Sequence, residues 1–312
     1  MPLATANGLS IAYEHAGDPA GTPMLLVMGL GMPLSMWPDA FVEGLAREGF
    51  SLTLFDNRDV GRSQRISGAP LPNPLGAIGK VMLGMKVRGV YTLEDMADDA
   101  AGLMTALGIA RAHVVGMSMG GMIAQVMASR HAARVASLTS VMSTSGNPWA
   151  SLGRPRALQA ILHPPPDPRD HEAAAAHLES VLRIIGSRRY PASAEVMRTL
   201  CRRVVERGLD AEGAKRQLFA ILASGDRRAA LGTVRVPTLV IHGEDDPLLR
   251  LSASRDIARH VPGAKLMAVA GMAHDLPLEL TPMLVQAIAD HCRAADAAVG
   301  VPGADSAAPE VP

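Results

Sequence analysis

Short apolar runs alternate with amphipathic segments in the first half of the chain. Four continuous apolar runs are typical of strands covered on both faces, and they lie at residues 24–28, 51–55, 113–117 and 135–142. Helical spacing of apolar positions separates these runs, at residues 40–47, 92–107 and 122–130. A polar–apolar alternation at residues 9–14, after the turn dipeptide Asn7-Gly8, predicts an antiparallel opening. The order predicts an α/β fold with a mostly parallel central sheet flanked by helices.

The pattern changes after residue 144. Residues 145–232 are helical in spacing, with proline breaks such as the run 163–168, and contain no convincing strand. Strand patterns return at 236–241 and 265–269, before a closing helix at about 278–292. We therefore predict a core of residues 1–144 and 233–295 with a helical cap inserted at 145–232. The alanine-, glycine- and proline-rich residues 296–312 are predicted to be a disordered tail.

A serine lies at the sharpest break in this pattern. Gly116-Met117-Ser118-Met119-Gly120 follows a β-branched strand and opens a helix, which is the context of a nucleophile elbow. Glycines around the serine clear the space that a strained turn requires. We therefore predict Ser118 as a nucleophile.

Two later strand ends carry the groups that a serine nucleophile needs. A serine hydroxyl requires an imidazole to take its proton, and the imidazole requires a carboxylate to hold its tautomer. His274 follows the last predicted strand, and Asp246 follows the strand before it. Glu244 and Asp245 compete with Asp246 for the acid position. The order Ser118, Asp246, His274 is the one expected for a sheet of this class.

Residues 28–32, Met-Gly-Leu-Gly-Met, end the first buried strand at the edge where open parallel sheets bind ligands. Its glycines allow backbone N–H groups to approach a ligand closely. We predict the Leu30 and Met119 amides as an oxyanion hole. The polar segment 56–63 ends the second buried strand, and we predict that Arg58 and Asp59 tie neighbouring loops together there.

Several apolar residues fall beside these loops. The predicted substrate pocket consists of Gly29, Met32, Met117, Met142 and Met272. Core packing is the alternative for the methionines. Residues 70–88 carry prolines, glycines and an apolar cluster, and we interpret them as a mobile lid. An ordinary surface loop or a membrane-surface segment, given Lys80, Lys86 and Arg88, stays open.

Composition narrows the function classes. The chain has 312 residues, of which 48% are hydrophobic, and 30 basic residues balance 30 acidic ones. This balance argues against a nucleic-acid-binding surface. The two cysteines, Cys201 and Cys292, lie in helical patterns and fit a reducing cytoplasm. We find no export signal or membrane span, and we expect a cytoplasmic protein without stable membrane insertion.

The chain resembles the α/β-hydrolase family over residues 7–292. Gly116–Gly120, Asp246 before Pro247, and the 271–274 element Gly-Met-Ala-His match the family's nucleophile, acid and histidine positions. Residues 6–14 and 56–63 look more narrowly like the branch that contains aclacinomycin methylesterase and related bacterial carboxylesterases. Many members have His-Gly in the oxyanion loop, whereas Met28-Gly29 stands here, so a polar support for the loop is lost.

Residues and resemblance together predict a serine esterase that cleaves short- to medium-chain or methyl esters through an acyl-enzyme. It would need no metal and no organic cofactor, and its partner would be a small-molecule ester. We also consider a homodimer. Alternatives within the same scaffold are a lactonase and a cofactor-free perhydrolase or haloperoxidase-like activity. The alternative from another class is a ligand-binding or signalling protein that keeps the triad.

Overall fold

A computed structural model describes residues 2–67, 71–163 and 170–300. Eight strands form one sheet: β1 (Leu3–Ala6), β2 (Leu9–Ala16), β3 (Thr22–Val27), β4 (Phe50–Phe55), β5 (Ala112–Met117), β6 (Val135–Val141), β7 (Thr238–Gly243) and β8 (Lys265–Val269). Their order across the sheet is β1-β2-β4-β3-β5-β6-β7-β8. Only the β1–β2 and β2–β4 pairs are antiparallel. The six strands β4, β3, β5, β6, β7 and β8 run parallel to one another. The predicted fold class is thus confirmed.

Twelve α-helices belong to the described residues. The first six are α1 (Asp39–Arg47), α2 (Pro74–Met82), α3 (Leu93–Ala106), α4 (Met119–Arg130), α5 (Pro148–Ser151) and α6 (Pro155–Leu162). The other six are α7 (His171–Ile185), α8 (Ala194–Gly208), α9 (Ala211–Ser224), α10 (Arg228–Leu231), α11 (Leu251–His260) and α12 (Thr281–Gly300). Short 3₁₀ helices span Leu34–Met36, Ala132–Arg134 and Leu278–Leu280. Within the described ranges, no helix is both long and apolar enough to cross a bilayer.

Burial explains why the apolar runs become central strands. Every residue of β5 and β6 is buried, because helices cover both faces of the sheet. On one face α3 and α4 pack against the sheet, and on the other α1 and α12 do so. The edge strands β1 and β8 have mostly exposed or half-buried residues. The parallel core therefore places the loops after β3, β4, β5, β7 and β8 at one edge of the sheet.

Between β6 and β7, the described residues form helices α5–α10 and no strand, and we call them the helical insertion. Its helices bury a small apolar core of their own, around Leu178, Cys201 and Val204. Ion pairs join the insertion to the loop after β4. Arg207 of α8 binds Asp56 at 2.9 Å, and Arg216 of α9 binds both oxygens of Asp59 at 2.9 Å.

The Asp59 carboxylate accepts four hydrogen bonds. Besides Arg216, it accepts hydrogen bonds from the Tyr91 hydroxyl at 2.6 Å and from the Ile66 amide at 2.7 Å. Burial raises the pKa of Tyr91, so its hydroxyl remains a donor. Arg58, the neighbour of Asp59, binds Asp99 of α3 through two bonds of 2.6 Å. The segment therefore ties loops together, as predicted for Arg58 and Asp59.

The tail prediction is wrong for residues 296–300, which continue α12 to Gly300. Alanine has the highest helix propensity, Ala295 is buried, and Asp296 contacts His113 at 3.3 Å, so this part of the chain packs as helix. β7 begins at Thr238, two residues later than predicted, because Pro237 has no N–H to donate to a ladder. Residues 164–168 of the proline run and the tail at 301–312 lie outside the described residues.

The Asp59→Asn substitution keeps the shape of the side chain. Asparagine also tolerates the positive φ of 70° at this position. Because the substitution removes the nearer of the two carboxylates that Arg216 faces and leaves Asp210 at 3.6 Å, we expect the free energy of unfolding to fall by about 3 kcal/mol. Urea unfolding measures the change. The matched control is Asp226→Asn, which removes an exposed pair with Arg228 and should cost less than about 1 kcal/mol. Equal losses in the two variants would contradict the anchoring role.

Candidate active site

Ser118 lies on a strained turn between β5 and α4. Its φ is 56° and its ψ is −119°, a conformation that side chains rarely adopt. The flanking glycines make room for it, since a Cβ at Gly116 would lie 2.1 Å from Gly120 O and a Cβ at Gly120 would lie 2.0 Å from Val27 O. Ser143 Oγ donates to Ser118 O at 2.8 Å and holds the turn from the side of β6.

Ser118, His274 and Asp246 form a hydrogen-bonded relay. His274 Nε2 lies 3.1 Å from Ser118 Oγ, and His274 Nδ1 lies 2.7 Å from Asp246 Oδ2. These side chains come from the loops after β5, β8 and β7, which the parallel sheet brings to one edge. The imidazole and the carboxylate are buried, whereas Ser118 is partly exposed. The arrangement allows a proton to pass from the hydroxyl to the imidazole while the carboxylate stabilises the resulting cation.

The Asp246 carboxylate is held in place by backbone amides. Asp246 Oδ1 accepts hydrogen bonds from Leu248 N at 2.8 Å and from Leu249 N at 2.9 Å. Its other oxygen, Oδ2, remains for His274. Glu244 and Asp245, the alternatives on the same loop, are both exposed. The structure thus brings only Asp246 of the three to the imidazole.

His242 packs behind the acid. Its Nε2 lies 2.9 Å from Leu249 O and 3.4 Å from Asp246 Oδ2, and its Nδ1 lies 2.7 Å from Ser254 Oγ. Since both partners of Nε2 are acceptors, this nitrogen carries the proton of a neutral ring. Burial lowers the pKa of His242 from its ordinary value of 6.5. His242 therefore supplies a second N–H toward the oxygen that binds His274.

The loop after β3 approaches the serine from the opposite side. A Cβ at Gly29 would lie 3.2 Å from Ser118 Cβ, so glycine permits this close approach. Met119 is the first residue of α4, where N–H groups have no partner within the helix. Among the described residues, neither the Leu30 nor the Met119 amide donates to a protein acceptor. Both predicted oxyanion donors are thus free for a ligand.

Polar side chains support this loop despite Met28. Gln217 of α9 accepts a hydrogen bond from Gly31 N at 2.7 Å and donates to Arg58 O at 2.7 Å. Asn57 Nδ2 donates to Met28 O at 3.0 Å. The helical insertion and the loop after β4 therefore supply the polar support that the sequence comparison predicted to be lost.

The insertion also contacts the histidine loop. His274 N donates to Ile185 O at 3.0 Å, at the end of α7. Ser187 accepts a bond from Ala273 N at 2.7 Å, and its hydroxyl donates to Asp275. Burial raises the pKa of Asp275. The histidine loop is thus braced against the insertion at residues 273, 274 and 275.

The predicted pocket is only partly supported. Met142 and Met272 have no exposed surface and pack in the core beneath α1 and α12, so their assignment to an open pocket is wrong. Met117 is 8% exposed and belongs to the same core. Met32 is half-buried between this core and that of the insertion, and Gly29 faces Ser118. Apolar side chains occur both in cores and in ligand pockets, so the sequence pattern could not distinguish core residues from pocket residues.

Two supporting residues were missed by the sequence prediction. Gln217 occupies a buried position of α9, four residues after buried Gly213, so a polar residue on an apolar face was the available signal. His242 lies near the end of β7 and is bonded to the backbone of Leu249. Its contact with Asp246 has no signal in the sequence beyond the spacing of four residues.

Comparisons with known proteins agree with this architecture. A sequence profile of the α/β-hydrolase fold matches residues 22–175. The chain is 28% identical to rhodomycin D methylesterase DauP of Streptomyces sp. (strain C5) and 28% identical to rhodomycin D methylesterase DnrP of Streptomyces peucetius. Each match covers 94% of this chain and 98% of the relative. The crystal structure of the enol-lactonase from Burkholderia xenovorans LB400 superposes with a TM-score of 0.71 at 26% identity, covering 94% of this chain and 100% of that one.

The sheet topology and these relatives define a hydrolase of the α/β type. The chain has the α/β-hydrolase fold, and over most of its length it is similar to bacterial methylesterases.

Gln217→Met removes the acceptor of Gly31 N while keeping a side chain of similar length. Because the oxyanion loop loses its support, we expect kcat to fall by up to about a hundredfold with a smaller change in KM. Steady-state kinetics on an activated ester, with thermal unfolding measured in parallel, provides the test. Lys215→Met, on the same helix, should keep wild-type kinetics. A loss explained wholly by a lower folded fraction would contradict this role.

His242 makes stability depend on pH. Its folded-state pKa lies below the unfolded value of 6.5, so the unfolded chain binds more protons and the free energy of unfolding falls as pH drops below 6.5. His242→Gln should reduce the loss measured by urea unfolding between about pH 7.5 and about pH 5.5. His113 and His291, whose pKa values burial also lowers, remain in both proteins. An identical loss in the variant would rule out this contribution.

Proposed function

We propose that the protein hydrolyses carboxylic esters through a covalent acyl-enzyme formed on Ser118. The observation that carries the proposal is the relay from Ser118 Oγ to His274 Nε2, at 3.1 Å, and from His274 Nδ1 to Asp246, at 2.7 Å. The strained backbone of Ser118 supports it, because it presents the hydroxyl at the sheet edge beside two free amides.

In the first step, His274 takes the proton of Ser118 as its oxygen attacks the ester carbonyl. The negative charge moves to the carbonyl oxygen, where the Leu30 and Met119 amides donate hydrogen bonds to it. His274 then gives the proton to the departing alcohol. In the second step, His274 removes a proton from water, whose oxygen attacks the acyl carbonyl. The bond from that carbonyl to Ser118 Oγ then breaks, the acid leaves, and His274 returns the proton to Ser118. Asp246 stabilises the imidazolium in both steps.

The relatives suggest two ester classes. Two of them are named rhodomycin D methylesterases, which supports methyl esters as substrates. The superposition on an enol-lactonase supports a cyclic ester as a second candidate, since ring opening uses the same two steps without release of a separate alcohol. Met32 and the glycines of its loop favour an apolar acyl group beside Ser118.

Ser118→Ala tests the chemistry. We expect kcat on p-nitrophenyl esters to fall at least about 10⁴-fold, because without the serine hydroxyl nothing attacks the carbonyl and no acyl-enzyme forms. The control is Ser129→Ala in α4, whose hydroxyl donates to Val126 O and whose loss should leave kcat unchanged. A fluorophosphonate should label the wild type and the control but not Ser118→Ala. Retained turnover in Ser118→Ala would overturn the proposal.

A panel of substrates separates the candidates. Acyl chain length is varied in p-nitrophenyl esters, and methyl esters and lactones are compared by kcat/KM. Preference for methyl esters supports the methylesterase assignment, and preference for lactones supports the second candidate. Labelling of Ser118 without multiple turnover on any member would identify a binding protein instead.

A further inference from the structure

One region of the surface collects large apolar side chains. Eleven such side chains are exposed among the described residues, and six of them lie on α2, the loop after it, and α5 with the residue that follows. They are Leu83 (79% exposed), Trp149 (75%), Leu75 (66%), Met85 (52%), Leu152 (40%) and Val90 (39%). α2 packs against α5 and α9, so these side chains lie on neighbouring elements. We call this region the apolar–basic face. Apolar clusters of this kind on a soluble surface mark interaction sites.

Charge distinguishes this face from an ordinary hydrophobic patch. Residues 60–93 contain five basic residues and no acidic one, and residues 143–166 contain Arg154 and Arg156 and no acidic one. The whole chain, by contrast, is balanced at 30 and 30. Arg65 is paired with Asp210, but Lys80, Lys86 and Arg88 are exposed and form no ion pair with the described residues. Beneath α2, α9 adds one acidic residue, Glu212, and two basic residues, Lys215 and Arg216, of which Arg216 is bound to Asp59.

We propose that the apolar–basic face docks reversibly on a lipid surface that carries anionic headgroups. Leucine and methionine side chains would enter the boundary between headgroups and acyl chains, where Trp149 finds the amphipathic environment that its ring prefers. The unpaired lysines and arginine would contact the anionic headgroups from the same side. A second copy of the chain fits less well, because two such faces would bring like charges together. The proposal does not depend on which ester the active site cleaves.

The location gives docking a consequence for the enzyme. α2 rests on α9, and α9 carries Gln217, which holds the loop after β3 through Gly31. A lipid surface on the apolar–basic face would therefore lie one helix away from the support of the predicted oxyanion loop.

The two tryptophans make the proposal testable with the intact protein. Trp149 is 75% exposed, whereas Trp37 is 2% exposed, stacks on Phe41 and does not belong to the face. Vesicles of phosphatidylcholine with phosphatidylglycerol should shift the tryptophan emission to shorter wavelength, and vesicles of phosphatidylcholine alone should not. Trp149→Phe should remove the shift while the protein still floats with anionic vesicles. High salt should release the protein from the anionic vesicles.

Leu83→Glu places a charge at the most exposed apolar position and should lower the partition coefficient on anionic vesicles about tenfold. The matched control is Leu3→Glu, an exposed leucine on the edge strand β1, which should bind as the wild type does. Circular dichroism and turnover of a water-soluble ester verify that both variants are folded. The absence of flotation, or equal flotation of Leu83→Glu and wild type, would overturn the proposal. So would a dimer that Leu83→Glu dissociates, without vesicle binding.

Discussion

The backbone conformation of Ser118 is the constraint on which the site depends. A positive φ at a residue with a side chain is unfavourable, and it persists because β5 and α4 fix the chain on both sides of the turn. Three glycines make it feasible by letting backbone approach backbone: Gly116 against Gly120, Gly120 against Val27, and Gly29 against the serine itself. The predicted nucleophile, the loop after β3 and the central strands are thus parts of one close-packed arrangement.

Around this turn, the second constraint is ionic. The carboxylates of Asp56 and Asp59 are fully buried at the end of β4, and their partners Arg207 and Arg216 come from two helices of the insertion. A buried charge that loses its partner is costly, so these pairs favour a single placement of the insertion on the sheet. That placement is also the one in which Gln217 reaches Gly31 and Ile185 reaches His274. The ion pairs and the supports of the site are therefore satisfied together.

The sheet and the three-residue relay were predictable because each depends on local pattern. Apolar runs mark buried strands, and parallel strands place their carboxyl ends at one edge, so Ser118, Asp246 and His274 could be grouped without coordinates. Gln217 could not be grouped with them, since its contact with Gly31 joins positions 186 residues apart through a helix whose placement no local signal specifies. For Met142 and Met272, hydrophobicity predicts that the side chain is buried but does not show whether it packs in the core or lines a ligand pocket. Residues 296–300 illustrate a further limit, because the contact of Asp296 with His113 that holds this end of α12 joins positions far apart in the chain.

The wide sequence separation of the relay has a consequence for protein synthesis. The serine is made at position 118, the predicted acid at 246 and the imidazole only at 274, in the loop after the last strand of the sheet. On the proposed mechanism, a growing chain that has already formed the turn after β5 carries a serine that nothing deprotonates. Esterase competence would then arise late in translation, after β8 joins β7, and a chain released before that point would be inert toward esters.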